Sequence, residues 1–177
     1  GDGVFGPSSS DQRSIEARND VLVYTSPVLS KGLAVVGDLK AVLYVSADVK
    51  DTDVAVKVVD VYPDGTAYNV AHSILRLRYR DGLNAPRMLE RGQVYRVEIG
   101  GMATSNYFAP GHRFRLEVAG ANFPFFERNM NTGNRNSYEA SGLVANIKIH
   151  HGPKQASYLE FDEYKRPLQL TPRQTKH

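Results

Sequence analysis

Residues 112 to 118 alternate between apolar and polar side chains, directly after the turn pair Pro110-Gly111. In an extended chain successive side chains point to opposite faces, so a period of two places each kind on its own side. This alternation predicts an antiparallel strand whose apolar side faces a core and whose other side, with Arg113, Arg115 and Glu117, faces solvent.

The same alternation returns along the chain in short runs separated by turn residues, and no run has the period of an amphipathic helix. The triplet Pro63-Asp64-Gly65 predicts a hairpin turn, because proline fixes φ and glycine accepts the left-handed conformation. We predict an all-β sandwich without internal repeats, in which Arg76, Arg78 and Arg80 face solvent and Gly100-Gly101 breaks the chain. The predicted strands cover residues 21–25, 32–36, 39–46, 53–61, 72–80, 93–99, 112–118, 143–150 and 156–161.

The 177 residues are enough for one domain that buries most of its apolar surface without disulfides. We divide the chain into an extended N-terminal arm at residues 1–20, a sandwich at residues 21–164 and a polar tail at residues 165–177. The first ten residues are rich in glycine, serine and proline, as in a linker or an excised segment. From Asp11 to Asp20 the charges alternate in sign with no apolar face, which predicts an arm lying on a surface.

Composition argues against several classes of function. The net charge of +3 comes from 22 basic and 19 acidic residues scattered along the chain, whereas a nucleic-acid-binding face would gather the basic ones. The absence of cysteine excludes disulfides and thiolate chemistry and favours a reducing, cytoplasmic location. No apolar run approaches the ~20 residues of a membrane helix, so we expect neither nucleic acid nor a membrane as a partner.

The sequence also lacks the Gly-x-Ser-x-Gly motif that exposes the nucleophile of α/β-hydrolases. Adjacent His150 and His151 would point to opposite faces of a strand and could not bind one metal ion. His112 falls on the apolar side of its strand, where a hydrogen-bonded histidine is expected rather than a general base, and His72 has no evident partner. For Asp51-Thr52-Asp53 we expect carboxylates that brace a turn, with a calcium site as the alternative. We therefore predict no catalytic residue, no metal site and no cofactor.

Residues 119–142 show neither strand nor helix periodicity but are dense in aromatic and amide side chains. A connection of this length in a compact domain usually has a function. In one interpretation the rings close the open end of the sandwich and the asparagines bond the loop to itself. In another the rings stack on a sugar, although the absence of tryptophan argues against it. The candidate contact residues are Asn122, Phe123, Phe125, Phe126, Arg128, Asn129 and Asn131 in the loop and Asp11, Gln12, Arg13 and Arg18 in the arm.

The stretch from Thr104 to Gly133, TSNYFAPGHRFRLEVAGANFPFFERNMNTG, resembles the C-terminal non-catalytic domain of the X-Pro dipeptidyl-peptidase and cocaine-esterase group of serine hydrolases. Three further stretches resemble the same domain in the same order: Asp11 to Leu29, Asp51 to Asp81, and Leu89 to Phe108. The resemblance implies a jelly roll of the galactose-binding-like type. It also implies that the Ser, Asp and His triad belongs to a preceding hydrolase domain, so that no residue here inherits a catalytic role.

The resemblance implies one partner, the α/β-hydrolase catalytic domain of the same polypeptide, on which the aromatic residues would dock. The domain would then be an accessory module that stabilises the catalytic domain, helps to wall the substrate entrance and is inert by itself. The parent enzyme would cleave esters or dipeptides with proline in the second position. The alternative is a free-standing module that binds carbohydrate or another ligand. An exposed loop would also allow a homo-oligomer.

Overall fold

In the computed structural model, which describes residues 10–165, the chain consists mainly of β-strands. One turn of helix, α1 (Arg13–Glu16), lies in the arm, and no helix in the described range has the length and apolarity needed to span a bilayer. Residues 1–9 and 166–177, which hold most of the predicted linker and tail, lie outside the described residues. The strands are β1 (Val21–Thr25), β2 (Leu33–Ala47), β3 (Asp53–Val61), β4 (Ala67–Arg76), β5 (Tyr95–Phe108), β6 (Arg113–Ala119), β7 (Ile147–His150) and β8 (Tyr158–Glu163).

The strands form two antiparallel sheets. The first sheet has the order β1-β6-β3-β4. In the second, β5 pairs with one edge of the long strand β2, and β7 and β8 pair with successive parts of the other edge. The predicted all-β sandwich is therefore confirmed, whereas the jelly-roll subclass stays a prediction.

The core lies between the inner faces of the two sheets. Strand β3 contributes Val54, Val56 and Val58, and β2 contributes Leu39 and Leu43, all of which are at most 2% exposed. Full burial of such a side chain stabilises the fold by about 1.5–3 kcal/mol. Period-two alternation assigned these positions correctly to one side of each strand.

The predicted break at Gly100-Gly101 is a bulge inside one long strand. Strand β5 continues through both glycines, and its register against β2 shifts between Leu39 and Ala41. Gly101 has a φ of 73°, a left-handed conformation that suits the extra residue of a β-bulge. The prediction that the strand ends at residue 99 was wrong, because pairing with β2 resumes after the bulge and continues to Phe108.

Other strand limits also differ from the prediction. The segments 32–36 and 39–46 form the single strand β2, and β7 covers only the last four residues of the predicted strand 143–150. The predicted strand 72–80 instead begins at Ala67 and ends at Arg76, followed by a 3-10 turn at Leu77–Tyr79. The backbone N–H of Leu77 still donates to the carbonyl of Thr52, at 2.9 Å, in the register of the β3–β4 ladder, and the N–H of Arg80 then donates to the carbonyl of Leu77, at 3.2 Å, within the turn.

The arm crosses the outer face of the first sheet. Asp11 forms an isolated β-bridge with Tyr68 of β4, and the N–H of Gln12 donates to the carbonyl of Ala67 at 2.7 Å. Helix α1 follows and leads into β1 at the opposite edge of the same sheet. The face that the arm crosses carries a second small apolar cluster of Val59, Val61 and Ala67. The predicted arm thus lies on the surface of the first sheet, is hydrogen-bonded to it and contains one helical turn.

Three charged side chains predicted to face solvent are mostly buried. Glu117 is 3% exposed, and the guanidinium groups of Arg78 and Arg80 are also largely covered. The arm covers Glu117, while the connections between strands cover the two arginines: Arg78 donates to the carbonyl of Asn134, and Arg80 donates to that of Arg87. Alternation identifies the outer face of a strand but not what another segment places over it.

Candidate docking surface

The connection between β6 and β7, residues 120–146, is held to the sandwich by a pair of buried carboxylates at the start of β3. We call this connection the aromatic loop. The amide nitrogen of Asn129 lies 2.8 Å from an oxygen of Asp51 and 2.8 Å from an oxygen of Asp53. Asp51 is 0% exposed and Asp53 is 3% exposed. The middle of the loop is therefore tied directly to the core sheet.

Two arginines complete this anchor. Arg78 donates its Nε to Asp51 at 2.7 Å, and its backbone N–H donates to the other oxygen of Asp51 at 2.9 Å. Arg76 donates to both oxygens of Asp53, at 2.9 and 3.2 Å, and this contact raises the pKa of the guanidinium. Charge-assisted and bidentate bonds of this kind are short and directional. The carboxylates thus brace the strand start, as expected, but through arginine and asparagine donors.

Asparagine side chains bond the aromatic loop to itself. Asn131 donates to the carbonyl of Leu143 at 2.7 Å, and Asn136 donates to that of Arg128 at 2.6 Å. Asn131 also has a φ of 63°, a left-handed conformation that asparagine adopts more readily than most residues. This part of the first interpretation of the loop agrees with the geometry. These bonds hold the loop in shape without strand pairing.

The rings of the loop do not close the sandwich. Phe123 is 67% exposed and Phe125 is 51% exposed, and only Phe126 is half-buried. Phe125 and Phe126 lie beside the imidazole of His72 on β4, with ring centroids 5.3 and 6.0 Å away. Burial lowers the pKa of His72, and the nearby Lys57 lowers it further. The loop is therefore anchored to β3 through Asn129 and exposes two phenylalanines to solvent.

Further apolar side chains of the same loop and of a neighbouring connection are exposed. Tyr138, Leu143 and Val144 extend from the loop, and Leu83 and Met88 extend from the connection between β4 and β5. Arg128 lies over the ring of Phe123, with 5.7 Å between its guanidinium carbon and the ring centroid. Exposed apolar surface rimmed by polar groups marks interaction sites in soluble proteins.

The candidate residues of the arm divide into exposed and buried ones. Arg13 and Arg18 are exposed, and each forms an ion pair within the arm, with Asp11 and Asp20 respectively. Gln12 is buried: it donates to the carbonyl of Ser10, and its side-chain oxygen accepts from Lys57 at 3.0 Å. In the loop, Asn122 is buried as well. Gln12 and Asn122 therefore face the interior of the domain, and Arg13 and Arg18 face outwards.

A charged cluster that the alternation did not indicate lies between the arm and the first sheet. Arg115 donates to Glu16 at 2.6 Å, and Lys57 lies 4.0 Å from Glu117. Burial raises the pKa of Glu117 to about 7 and lowers the pKa of Lys57. The only signal in the sequence for this cluster was the alternating charge of the arm, in which Glu16 is complementary to Arg115 of β6.

The other three histidines within the described residues have hydrogen-bond partners in different places. The Nδ1 of His112 lies 2.8 Å from Asp60, so this residue is the bonded histidine that its position predicted. His150 bonds Ser46 of its own sheet, and His151 bonds the phenol of Tyr24 in the other sheet, each at 2.9 Å. Within residues 10–165, no group of three or more His, Asp or Glu side chains is arranged to hold a metal ion.

Residues 3–160 match the family of the X-Pro dipeptidyl-peptidase C-terminal non-catalytic domain. The chain belongs to this family. The match includes the arm residues from Asp11 onwards, the whole aromatic loop and every strand except the last three residues of β8. The resemblance inferred from the sequence is thus confirmed, and the family to which the chain belongs is a non-catalytic one.

Relatives of this non-catalytic domain are parts of longer hydrolases. The chain is 42% identical over 167 residues to the cocaine esterase of Rhodococcus sp. (strain MB1 Bresler). The alignment covers 93% of this chain and 29% of the esterase. An aminopeptidase from the marine sediment archaeon Thaumarchaeota archaeon has a similar fold, with a TM-score of 0.83 and 29% identity. The superposition covers 88% of this chain and 28% of the aminopeptidase. An α-amino acid ester hydrolase gives a TM-score of 0.82 and 30% identity, with 88% of this chain and 27% of the hydrolase covered. The chain therefore spans less than a third of the length of these relatives.

Proposed function

We propose that this chain is the C-terminal accessory domain of a serine hydrolase and packs on the α/β-hydrolase domain of the same polypeptide. The observation that carries the proposal is that Phe123 and Phe125 are largely exposed on a loop with a firmly anchored base. Aromatic residues are enriched in protein interfaces, where they fill pockets of the partner. A free-standing module would leave both rings in water.

The proposed reaction of the parent enzyme is hydrolysis of an acyl bond, either an ester or a peptide bond after proline in the second position. Relatives named as esterases and the dipeptidyl-peptidase name of the family support this reaction class. This chain has no Gly-x-Ser-x-Gly motif, so we assign the nucleophile and the acyl-enzyme to the neighbouring domain. The accessory domain stabilises its neighbour and forms part of the wall of the substrate entrance.

Anchoring of the aromatic loop favours such docking energetically. Ordering a flexible loop on binding costs free energy for each immobilised side chain and backbone unit. Here Asn129, Asp51 and Asp53 hold the loop before any partner is present, so less ordering remains. Burial of each exposed phenylalanine would then contribute about 1.5–3 kcal/mol. Arg128, over the ring of Phe123, is exposed and placed to donate to an acceptor of the partner.

The test replaces Phe123 and Phe125 together by serine in the full-length polypeptide. We expect a lower melting temperature and a lower kcat/KM for a p-nitrophenyl ester, because the variant cannot exclude water from the domain interface. Val36→Ser is the matched control, since Val36 is 45% exposed on the second sheet, away from the loop. Full stability and activity in the double variant would contradict docking through the loop. Ester turnover by the isolated 177-residue chain would contradict the accessory role.

A further inference from the structure

A polar cleft opens between the two sheets at the edge formed by β4 and β5. Its volume is about 300 Å³, and Asp60, Tyr62, Tyr68, Thr104 and Asn106 are among the residues that line it. This volume lies at the lower end of the range for small-molecule sites. It is separate from the aromatic loop, because Asp60 lies at one end of β3 and the loop anchor at Asp53 lies at the other, roughly 23 Å away along the strand.

The cleft is polar where the strand pattern calls for apolar residues. Asp60 continues the inward-facing series of valines on β3, yet it is a carboxylate that is only 5% exposed. Asn106 lies directly opposite the core residue Val35, so it also faces inwards. Its side-chain nitrogen is buried and has no hydrogen-bond partner among residues 10–165. Buried polar groups cost free energy unless they are bonded, so such a group on an inner face needs a reason.

The groups around the cleft combine hydrogen bonding with aromatic walls. Asp60 accepts a bond from the Nδ1 of His112 at 2.8 Å, which holds the carboxylate in place. The rings of Tyr62 and Tyr68 stand edge to face, 5.4 Å apart. None of the described residues that line the cleft is basic, which argues against phosphate or another anion as the ligand. A carboxylate, an amide and hydroxyl groups beside aromatic faces suit a molecule with several hydroxyls and an apolar ring face.

The geometry points to a binding site for a single sugar unit in this cleft. Asp60 accepts from the sugar hydroxyls, Thr104 and Asn106 exchange hydrogen bonds with them, and the tyrosines contact the carbon face of the ring. The site is independent of docking by the aromatic loop, because the two lie at opposite ends of β3. It would give the parent enzyme a second, non-catalytic contact with a glycosylated surface or a soluble sugar.

The first nine residues lie outside the described range, so their effect on binding is tested separately. The N–H of Ser10 donates to the side-chain oxygen of Asn69, a lining residue, at 2.8 Å. Ser10 therefore lies at the rim of the cleft. A version of the chain that begins at Ser10 tests whether sugar binding depends on the cleft alone.

The experiment is a calorimetric titration of the 177-residue chain with the methyl glycosides of glucose, galactose and mannose. We expect saturable binding of at least one glycoside, with a dissociation constant in the millimolar range or below. Thr104→Val and Asn106→Leu should each weaken it by about tenfold or more. Tyr107→Phe is the matched control, since Tyr107 is the next residue of β5 but faces outwards and is 61% exposed.

Three results would overturn the proposal. The first is the absence of saturable binding to all three glycosides. The second is binding that Thr104→Val and Asn106→Leu leave unchanged while both variants melt like the parent chain. The third is binding that is lost when residues 1–9 are removed, because the sugar site would then depend on those residues and not on the cleft. Thr104→Val keeps the shape of the side chain, so a folded variant is available even if Asn106→Leu does not fold.

Discussion

Glu117 lies beneath the arm beside a second carboxylate, Glu16, with Lys57 and Arg115 as the neighbouring cations. Burial raises its pKa from 4.5 to about 7, with Lys57 opposing the shift and Glu16 adding to it. Because the pKa is higher in the folded than in the unfolded state, proton binding stabilises the fold. This contribution is complete below the unfolded value of 4.5 and is lost as the pH rises through about 7.

We expect Glu117→Gln to remove this part of the pH dependence, since glutamine has nearly the same shape and does not titrate. Urea unfolding at about pH 5 and about pH 8 measures the effect: the parent chain should lose more stability between them than the variant does. Glu98→Gln is the control, because Arg96 lowers the pKa of the exposed Glu98 and keeps it charged over this range. Equal losses in the parent chain and in Glu117→Gln would contradict the assignment.

Asn129 illustrates the limit of prediction at the scale of a residue. Its type and its place in an amide-rich loop predicted a side chain that bonds backbone near by. Its side-chain oxygen does accept from the N–H of Asn131, at 2.9 Å, but its nitrogen donates to two carboxylates that are 78 and 76 residues earlier in the chain. An amide can donate to any acceptor within reach, so its partner depends on how the loop lies over the sheet.

Strand β5 is the element whose course depends most on one local conformation. Gly101 takes a left-handed φ of 73° at the bulge, whereas Gly100 does not have a positive φ. A glycine pair in a strand pattern is compatible with a bulge or with a break. Because β5 pairs with β2 on both sides of the glycine pair, the pair forms a bulge and not a break.

We expect Gly101→Ala to lower the free energy of unfolding by about 1–2 kcal/mol, because a Cβ disfavours the left-handed conformation. The matched change Gly100→Ala should alter it by less than about 0.5 kcal/mol, since a Cβ there meets no atom within 4 Å. Urea unfolding of both variants tests the pair. Equal stability of the two would show that the bulge does not depend on glycine at residue 101.

At the scale of the whole molecule, the first sheet is covered on both faces. Its inner face packs in the sandwich core, and its outer face carries the arm and part of the aromatic loop. This arrangement explains why charged residues of β3 and β6 are buried although their spacing is that of a solvent face. It also leaves Phe123 and Phe125 at the surface.

We expect the isolated chain to self-associate through these rings, because no catalytic domain covers them. Light scattering over a concentration series should show dimers of the parent chain and of Val36→Ser, whereas the double change Phe123→Ser and Phe125→Ser should shift the equilibrium to monomers. Burial of the rings would supply roughly 1.5–3 kcal/mol each. A parent chain that stays monomeric at every concentration would argue against an exposed docking surface.

The sequence by itself determined the fold class, the core valines, the hairpin at Pro63-Asp64-Gly65 and the family, because alternation and turn chemistry are local properties of a chain. Only the tertiary structure decided that Glu117 is buried, that Asn129 anchors the loop and that Asp60 and Asn106 share a cleft. Burial and partnership depend on which distant segment lies over a given face, and side chains far apart in the chain meet only once both sheets have packed.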